Sequence, residues 1–347
     1  MGAERGATKQ EEVSTENSAQ YEKKPLLERK FWQILFKVLL SGFAIWGIHN
    51  LAILYQFHTD PQYASIPKFS LMDFKISLLF VVIFHCLKKG LARMMDGWIR
   101  RNFDLDKFDT EEEKNERVQK AYKWFWSAIY YSCSTVTAYI LFKDEYFFPK
   151  MLGGSADCSA IFQYTPAAPD IPYGKLFYMV QFGSHLHTLI AYAIEKFNDP
   201  KFWEMFLHHG VAVFLIFFSY MSNEIAVGIL VLFVHDPSDI FLDGGRFYND
   251  LKNRKDWIRN IFAVCFVTTW IYFRLYSFPV CVIGTALTKA HSQDWGIMAS
   301  PYAYLITMLS ALVGLHTYWF AFILRATGNM FKKKKEINDY DNKAKRN

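Results

Sequence analysis

Apolar and polar residues along this chain fall into long alternating blocks, not into a fine period-two pattern. Eight stretches are apolar throughout or nearly so: 32–57, 70–87, 119–142, 175–194, 203–222, 225–245, 260–286 and 300–324. A helix rises 1.5 Å per residue, so about 20 residues cross ~30 Å of hydrocarbon, and each stretch is long enough, or nearly so, for one membrane span. The blocks predict an all-α polytopic membrane protein with about eight transmembrane helices, six of them forming one helical bundle. Two stretches carry charges that weaken them as spans. The second holds Asp73 and Lys75, and the sixth holds His235, Asp236, Asp239 and Asp243.

Basic residues set the orientation. If the chain enters from the cytosol, the cytosolic loops 88–118, 195–201 and 246–259 hold 15 Lys or Arg, against 4 in the loops on the opposite side. This asymmetry alternates with every span, which supports eight spans with both termini cytosolic. The organisation expected from these blocks is a disordered cytosolic N-tail (1–31), two N-terminal transmembrane helices (32–88), a cytosolic amphipathic linker (89–118), the main membrane domain (119–325) and a basic cytosolic C-tail (326–347). Loop 143–174, with Pro149, Pro166, Pro169 and Pro172, is expected to be an irregular luminal segment.

Composition sharpens the picture only once the blocks are seen. The 347 residues are 52% hydrophobic and 18% aromatic, yet the mean hydropathy is only +0.03. Apolar spans and polar tails cancel in that mean. The net charge is +6, but no basic patch interleaved with aromatics marks a folded region, so nucleic acid is not an expected partner. Five cysteines, Cys86, Cys133, Cys158, Cys265 and Cys281, show no CxxC or paired spacing. That spacing argues against a disulfide or zinc framework. The last residues, Lys343-Ala344-Lys345-Arg346-Asn347, match the K-x-K-x-x pattern of dilysine retrieval signals and point to the endoplasmic reticulum membrane.

Ionisable side chains inside membrane spans are expensive and therefore functional candidates. They concentrate in one region: His208-His209, then Ser219-Tyr220 and Asn223, then His235-Asp236, Asp239 and Asp243. Spans five and six are joined by a turn near Ser222-Asn223, too short for anything but an antiparallel hairpin. His209 then lies level with Asp236, and His208 lies ~9 Å below the cytosolic end of its helix. His235 and Asp239 are i,i+4 and share a helix face. Depth follows from this reasoning, but helix rotation does not. Such a set can serve general acid–base work or accept an acyl group on imidazole, and a carboxylate in it can orient a histidine or bind an amine. A polar seam gluing two helices together and a metal centre also use such residues. The H-x-H, H-H and H-D spacings lack the boxes of membrane di-iron enzymes, and His185 and His187 fall on opposite sides of one helix.

These residues carry a resemblance. Phe202-Trp203-Glu204-Met205-Phe206-Leu207-His208-His209, followed by Ser219-Tyr220, Asn223, Gly228 and His235-Asp236-x-Ser238-Asp239, resembles the longevity-assurance motif of ceramide synthases, members of the TLC-domain family. Phe177-Tyr178 with Gln181, Phe273-Arg274 with Pro279, and Leu315-His316 with Trp319 agree with it, so the resemblance covers about residues 119–325. It implies a TLC-type bundle that N-acylates a sphingoid long-chain base with fatty acyl-CoA, giving (dihydro)ceramide and CoA, with an acyl-histidine as a fitting intermediate. His208, His209, His235, Asp236 and Asp239 are implied as catalytic. Trp203, Ser219, Tyr220, Asn223, Asp243 and Arg274 are expected to bind substrate. Acyl-CoA is a co-substrate, and no cofactor or metal is expected. Acyl-CoA, the sphingoid base and membrane lipid are the expected partners, and homo- or hetero-oligomers are compatible with the sequence. The basic loop Lys252, Arg254, Lys255 and Arg259 is the candidate for meeting the CoA phosphates. Where the family has Arg, Lys and Tyr, this chain has Ala226, Arg246 and Asp250. A non-enzymatic, lipid-binding TLC protein is the alternative.

Overall fold

The computed structural model describes residues 26–66, 68–164, 169–195, 197, 202–290 and 296–344. The N-tail up to residue 25 and the end of the retrieval-like signal from Lys345 lie outside the described residues. Among the described residues there is no strand, and each apolar stretch coincides with one long helix. These are α1 (Leu26–Thr59), α2 (Phe74–Asn102), α3 (Glu111–Phe142), α4 (Gly174–Glu195), α5 (Phe202–Met221), α6 (Ile225–Asn249) and α7 (Asp256–Thr269). The last runs on through a π-helical stretch (Trp270–Gly284) into α8 (Thr285–Ala290), and α9 (Ala299–Ala344) closes the order. Three segments, Ile225–Asn249, Asp256–Thr288 and Gly296–Arg325, are long and apolar enough to cross a membrane by length and composition alone. Residues 54–347 form one compact unit and residues 1–53 another. The groups discussed below all lie in the former.

The linker expected at 89–118 is divided between two helices. Helix α2 continues unbroken through it to Asn102, and α3 starts at a capping box. There the Thr110 side chain accepts from the Glu113 amide while Glu113 reaches back to the Thr110 amide. Between the helices Ile99, Phe103, Leu105, Val118, Ala121 and Tyr122 form a buried cluster, with Phe247 and Leu251 packed against it. The Tyr122 hydroxyl and the Arg100 guanidinium hold the Asp96 carboxyl below its usual pKa range. Arg117 makes a two-pronged ion pair with Asp250, whose side chain is only 2% exposed. The aspartate that stands where the resembled family has tyrosine therefore ties the end of α6 to the start of α3.

The same contacts occupy the basic loop expected to meet CoA. Lys252 pairs with Asp106 at 3.6 Å, Arg254 with Asp104 at 3.8 Å and Arg259 with Asp256 at 3.1 Å.

The described part of loop 143–174 is partly ordered into short turns. It contains two 3₁₀ turns, Lys150–Leu152 and Cys158–Phe162, and it buries Phe147, Phe148 and Phe162 completely. Phe148 packs edge-on against Phe233 of α6, and Phe162 against Tyr302 of α9. This packing brings Cys158 to Cys281 in the π-helical stretch, and the two are disulfide-bonded across 123 residues of sequence. The expectation of no disulfide is thereby corrected. Local spacing rules detect cysteines that are neighbours in sequence, whereas this pair is created by the docking of a loop. Titration of the denatured protein with a thiol reagent is expected to count three cysteines (Cys86, Cys133 and Cys265) without reductant and all five after reduction. Five reactive thiols before reduction would contradict the bond.

Candidate active site

The turn between α5 and α6 sets the site. Asn223 adopts a left-handed backbone (φ 61°), a conformation that asparagine tolerates better than most residues. Glu224 N–H donates to the Ser219 carbonyl at 2.8 Å and Ser222 N–H to that of Phe218 at 2.9 Å. The chain thus reverses within three residues. The arms of this hairpin touch each other sparsely, and α6 packs far more extensively against α3. A cavity of about 140 Å³ opens between the arms.

Its walls come from six elements. Helix α5 contributes His208, His209, Val211, Ala212, Leu215, Ile216 and Ser219. Helix α6 contributes Val227, Gly228, Val231, Leu232, His235, Asp236 and Asp239. The rest comes from Tyr130 and Tyr131 (α3), Tyr178, Ser184, His185 and Thr188 (α4), Arg274 (π-helical stretch) and Leu305, Leu309, Leu312 and His316 (α9). Histidines from both arms and the carboxylates of α6 thus meet in one space, at the shared level expected from the hairpin. Gly228 also lines the cavity, and a Cβ there would meet the Tyr178 hydroxyl oxygen, so the glycine leaves room for that buried side chain.

Individual contacts define the chemistry. His208 lies 4.9 Å from Trp319 and 5.3 Å from His209, ring centre to ring centre. The His235 ring stands 4.8 Å from that of His316. Nδ1 of His235 lies 2.5 Å from the Val231 carbonyl oxygen. A carbonyl can only accept, so Nδ1 carries the hydrogen and Nε2 of the neutral ring keeps its lone pair. Arg274 donates from Nη2 to Asp239 Oδ2 and to the His235 carbonyl, both at 2.8 Å, and its guanidinium lies 4.3 Å from the centre of the Trp270 ring. The π-helical winding surrounds this arginine, in keeping with the frequency of π-bulges at functional sites. Asp236, 3% exposed, accepts at Oδ2 from the Ser134 hydroxyl at 2.5 Å.

The residues expected to bind substrate divide. Ser219 and Arg274 line the cavity, whereas Trp203, Tyr220, Asn223 and Asp243 lie outside its lining. Trp203 is 64% exposed. Tyr220 donates to Asp73 Oδ2 at 2.6 Å, and Asp73 also pairs with Lys175 at 2.7 Å. Asn223 makes the turn, and its Oδ1 accepts from the Phe69 amide at 3.4 Å. Asp243 pairs with Arg246 at 3.1 Å. His185 faces the cavity while His187 packs against His85, on opposite sides of their helix as the spacing requires. Among the described residues no three His, Cys, Asp or Glu form a metal-binding group. Ala226, buried near the hairpin turn, stands ten residues from Asp236, roughly 15 Å along the helix. The residues that sequence reasoning missed are Tyr130, Tyr131 and Ser134 of α3, which read only as part of an apolar span.

The hairpin thus presents paired histidines on one arm and His-Asp on the other to a single cavity between helices. The model of the TLC domain matches residues 120–325, more than half of the chain, and the chain belongs to that family. Among named relatives, it is 28% identical over 218 residues to "Ceramide synthase hyl-1" of Caenorhabditis elegans, covering 60% of this chain and 57% of that protein. It is 24% identical over 272 residues to "ASC1-like protein 3" of Oryza sativa subsp. japonica, covering 77% and 93%. It is 28% identical over 248 residues to "Ceramide synthase 4" of Mus musculus, covering 71% and 58%. The matched segment therefore takes in less than two thirds of the worm and mouse proteins and most of the rice protein.

The two ion pairs of α6 should differ in weight. Asp239→Asn strands a guanidinium that is 6% exposed and is expected to lower stability by on the order of 3 kcal/mol. Asp243→Asn releases Arg246, which is 51% exposed, and is expected to lower it by less than about 1 kcal/mol. Thermal unfolding midpoints in nanodiscs check the order, and equal shifts would contradict it.

Proposed function

We propose that the protein is a ceramide synthase, which transfers an acyl group from fatty acyl-CoA to the amine of a sphingoid base. The observation that carries this reading is the convergence of His208, His209, His235 and Asp236 on one cavity that is also lined by Leu, Ile and Val side chains of α5, α6 and α9. An acyl chain fits the apolar walls, and a thioester needs a nucleophile and a base. In the proposed route an imidazole nitrogen of His208 attacks the thioester carbonyl, with His209 beside it as the base that takes up the ring proton. The C–S bond breaks, His209 passes that proton to the sulfur, and CoA leaves as the thiol. The sphingoid amine, once deprotonated, attacks the acyl-imidazole, so that the amide forms and the imidazole is released. Arg274 neutralises Asp239 and steadies the His235 carbonyl. The reaction as proposed uses acyl-CoA as co-substrate and calls on no bound cofactor.

Ala226, one of the three departures from the family pattern, stands roughly 15 Å along the helix from Asp236, which favours activity over a purely lipid-binding role. We place the protein in the endoplasmic reticulum membrane with both termini cytosolic. The basic-residue asymmetry supports this orientation. So does the Cys158–Cys281 disulfide, which the orientation puts on the luminal, oxidising side.

Purified full-length protein is expected to release CoA from a long-chain acyl-CoA only when a sphingoid base is supplied. His208→Ala and His209→Ala are each expected to lower this by about a hundredfold or more, the scale of a lost nucleophile or general base. Full activity of both variants, or no release by the wild type, would overturn the reading.

A further inference from the structure

The two carboxylates of the site are held in opposite ways. Asp239 is bound to a guanidinium. The hydrogen bond that Asp236 accepts comes from a neutral hydroxyl, Ser134 on α3. Behind that hydroxyl lies a chain of side chains: Gln181 Nε2 donates to Ser134 Oγ, and the Tyr130 hydroxyl donates to Gln181 Oε1 at 2.7 Å. Tyr130 and Ser134 sit one turn apart on α3, Gln181 is on α4 and Asp236 on α6, so three helices meet in one network. Gln181 is 1% exposed and Ser134 7%.

The direction of each bond follows from chemistry. A carboxylate only accepts, so Ser134 must donate to it. The serine oxygen then receives the amide hydrogen of Gln181, and the amide oxygen receives the tyrosine hydrogen. Every donor in the chain points towards Asp236.

We propose that Ser134, Gln181 and Tyr130 are positioning residues that fix Asp236 Oδ2 from behind, leaving its other oxygen to take a proton from the cationic amine of the acyl acceptor. This rests on the acyltransferase reading. The acceptor arrives as R–NH₃⁺ and gives one proton to Asp236 Oδ1. The neutral amine then attacks the acyl carbon, and as the C–N bond to it forms the acyl–imidazole bond breaks, the second amine proton passing to the departing imidazole nitrogen. Asp239, engaged by Arg274, has a different task, charge balance at the neighbouring helix turn. Aligned neutral donors supply orientation without cancelling the charge on Asp236, which a guanidinium would cancel.

The test is steady-state kinetics on full-length variants. Ser134→Ala is expected to lower kcat about tenfold, the scale of one hydrogen bond to a charged group, with KM for both substrates within about twofold of wild type. Ser134→Thr keeps the hydroxyl and is expected to restore kcat. Gln181→Leu should fall between Ser134→Ala and Tyr130→Phe. In an Asp236→Asn background Ser134→Ala should cost nothing further. A kcat for Ser134→Ala within twofold of wild type, failure of threonine to rescue, or an undiminished effect in the Asp236→Asn background would overturn the proposal. An infrared readout is independent of turnover. The carboxyl band of Asp236, identified by its disappearance in Asp236→Asn, is expected to shift in Gln181→Leu and Ser134→Ala and to stay in place in Ser134→Thr. A band unmoved by Gln181→Leu would sink the network even if Ser134→Ala failed to fold. A shifted band in a protein with no acyl transfer would leave the network standing and remove the enzymatic reading.

Discussion

A charged group inside an apolar helical bundle must find its counter-charge there, and in this protein Arg274 and Asp239 are that pair. The guanidinium is nearly inaccessible and meets the carboxylate at 2.8 Å. The same Arg274 nitrogen reaches the backbone carbonyl of His235, and the guanidinium lies over Trp270. Breaking up such a pair leaves an unpaired buried charge, so the π-helical stretch and α6 are held in one register. His235 and Asp236 lie one turn from the pair, and their positions depend on that register.

The fold was largely legible in the sequence, because its determinants are block-like. Apolar stretches and alternating basic loops survive without any knowledge of contacts, and each stretch became a helix. Depth within the hairpin was legible for a similar reason. A turn at Ser222–Asn223 leaves little freedom, so His209 and Asp236 had to share a level, and both line the cavity. Asn223, expected as a substrate contact, forms the turn, and Tyr220, expected likewise, donates to Asp73 outside the cavity lining.

What the sequence did not reveal depends on helix rotation and on long-range docking. Ser134 and Gln181 carry no charge, so neither stands out among the ionisable residues of the spans, and Ser134 is 102 residues away from Asp236 in sequence. The disulfide depends on a loop that folds back onto the bundle through buried phenylalanines. On the other face, Arg117 and Asp250, 133 residues apart, join α3 to the end of α6. That contact gives a structural reason for aspartate at a position where relatives with this motif are expected to carry tyrosine.

The central claim, that a histidine carries the acyl group between the two substrates, can be measured directly. Full-length protein incubated with acyl-CoA alone, quenched and digested, would be read by mass spectrometry at the peptide containing His208 and His209. The acyl-histidine route predicts one acyl mass on that peptide, discharged when sphingoid base is added before the quench. Full amide-forming turnover with no acyl mass on any histidine would contradict it.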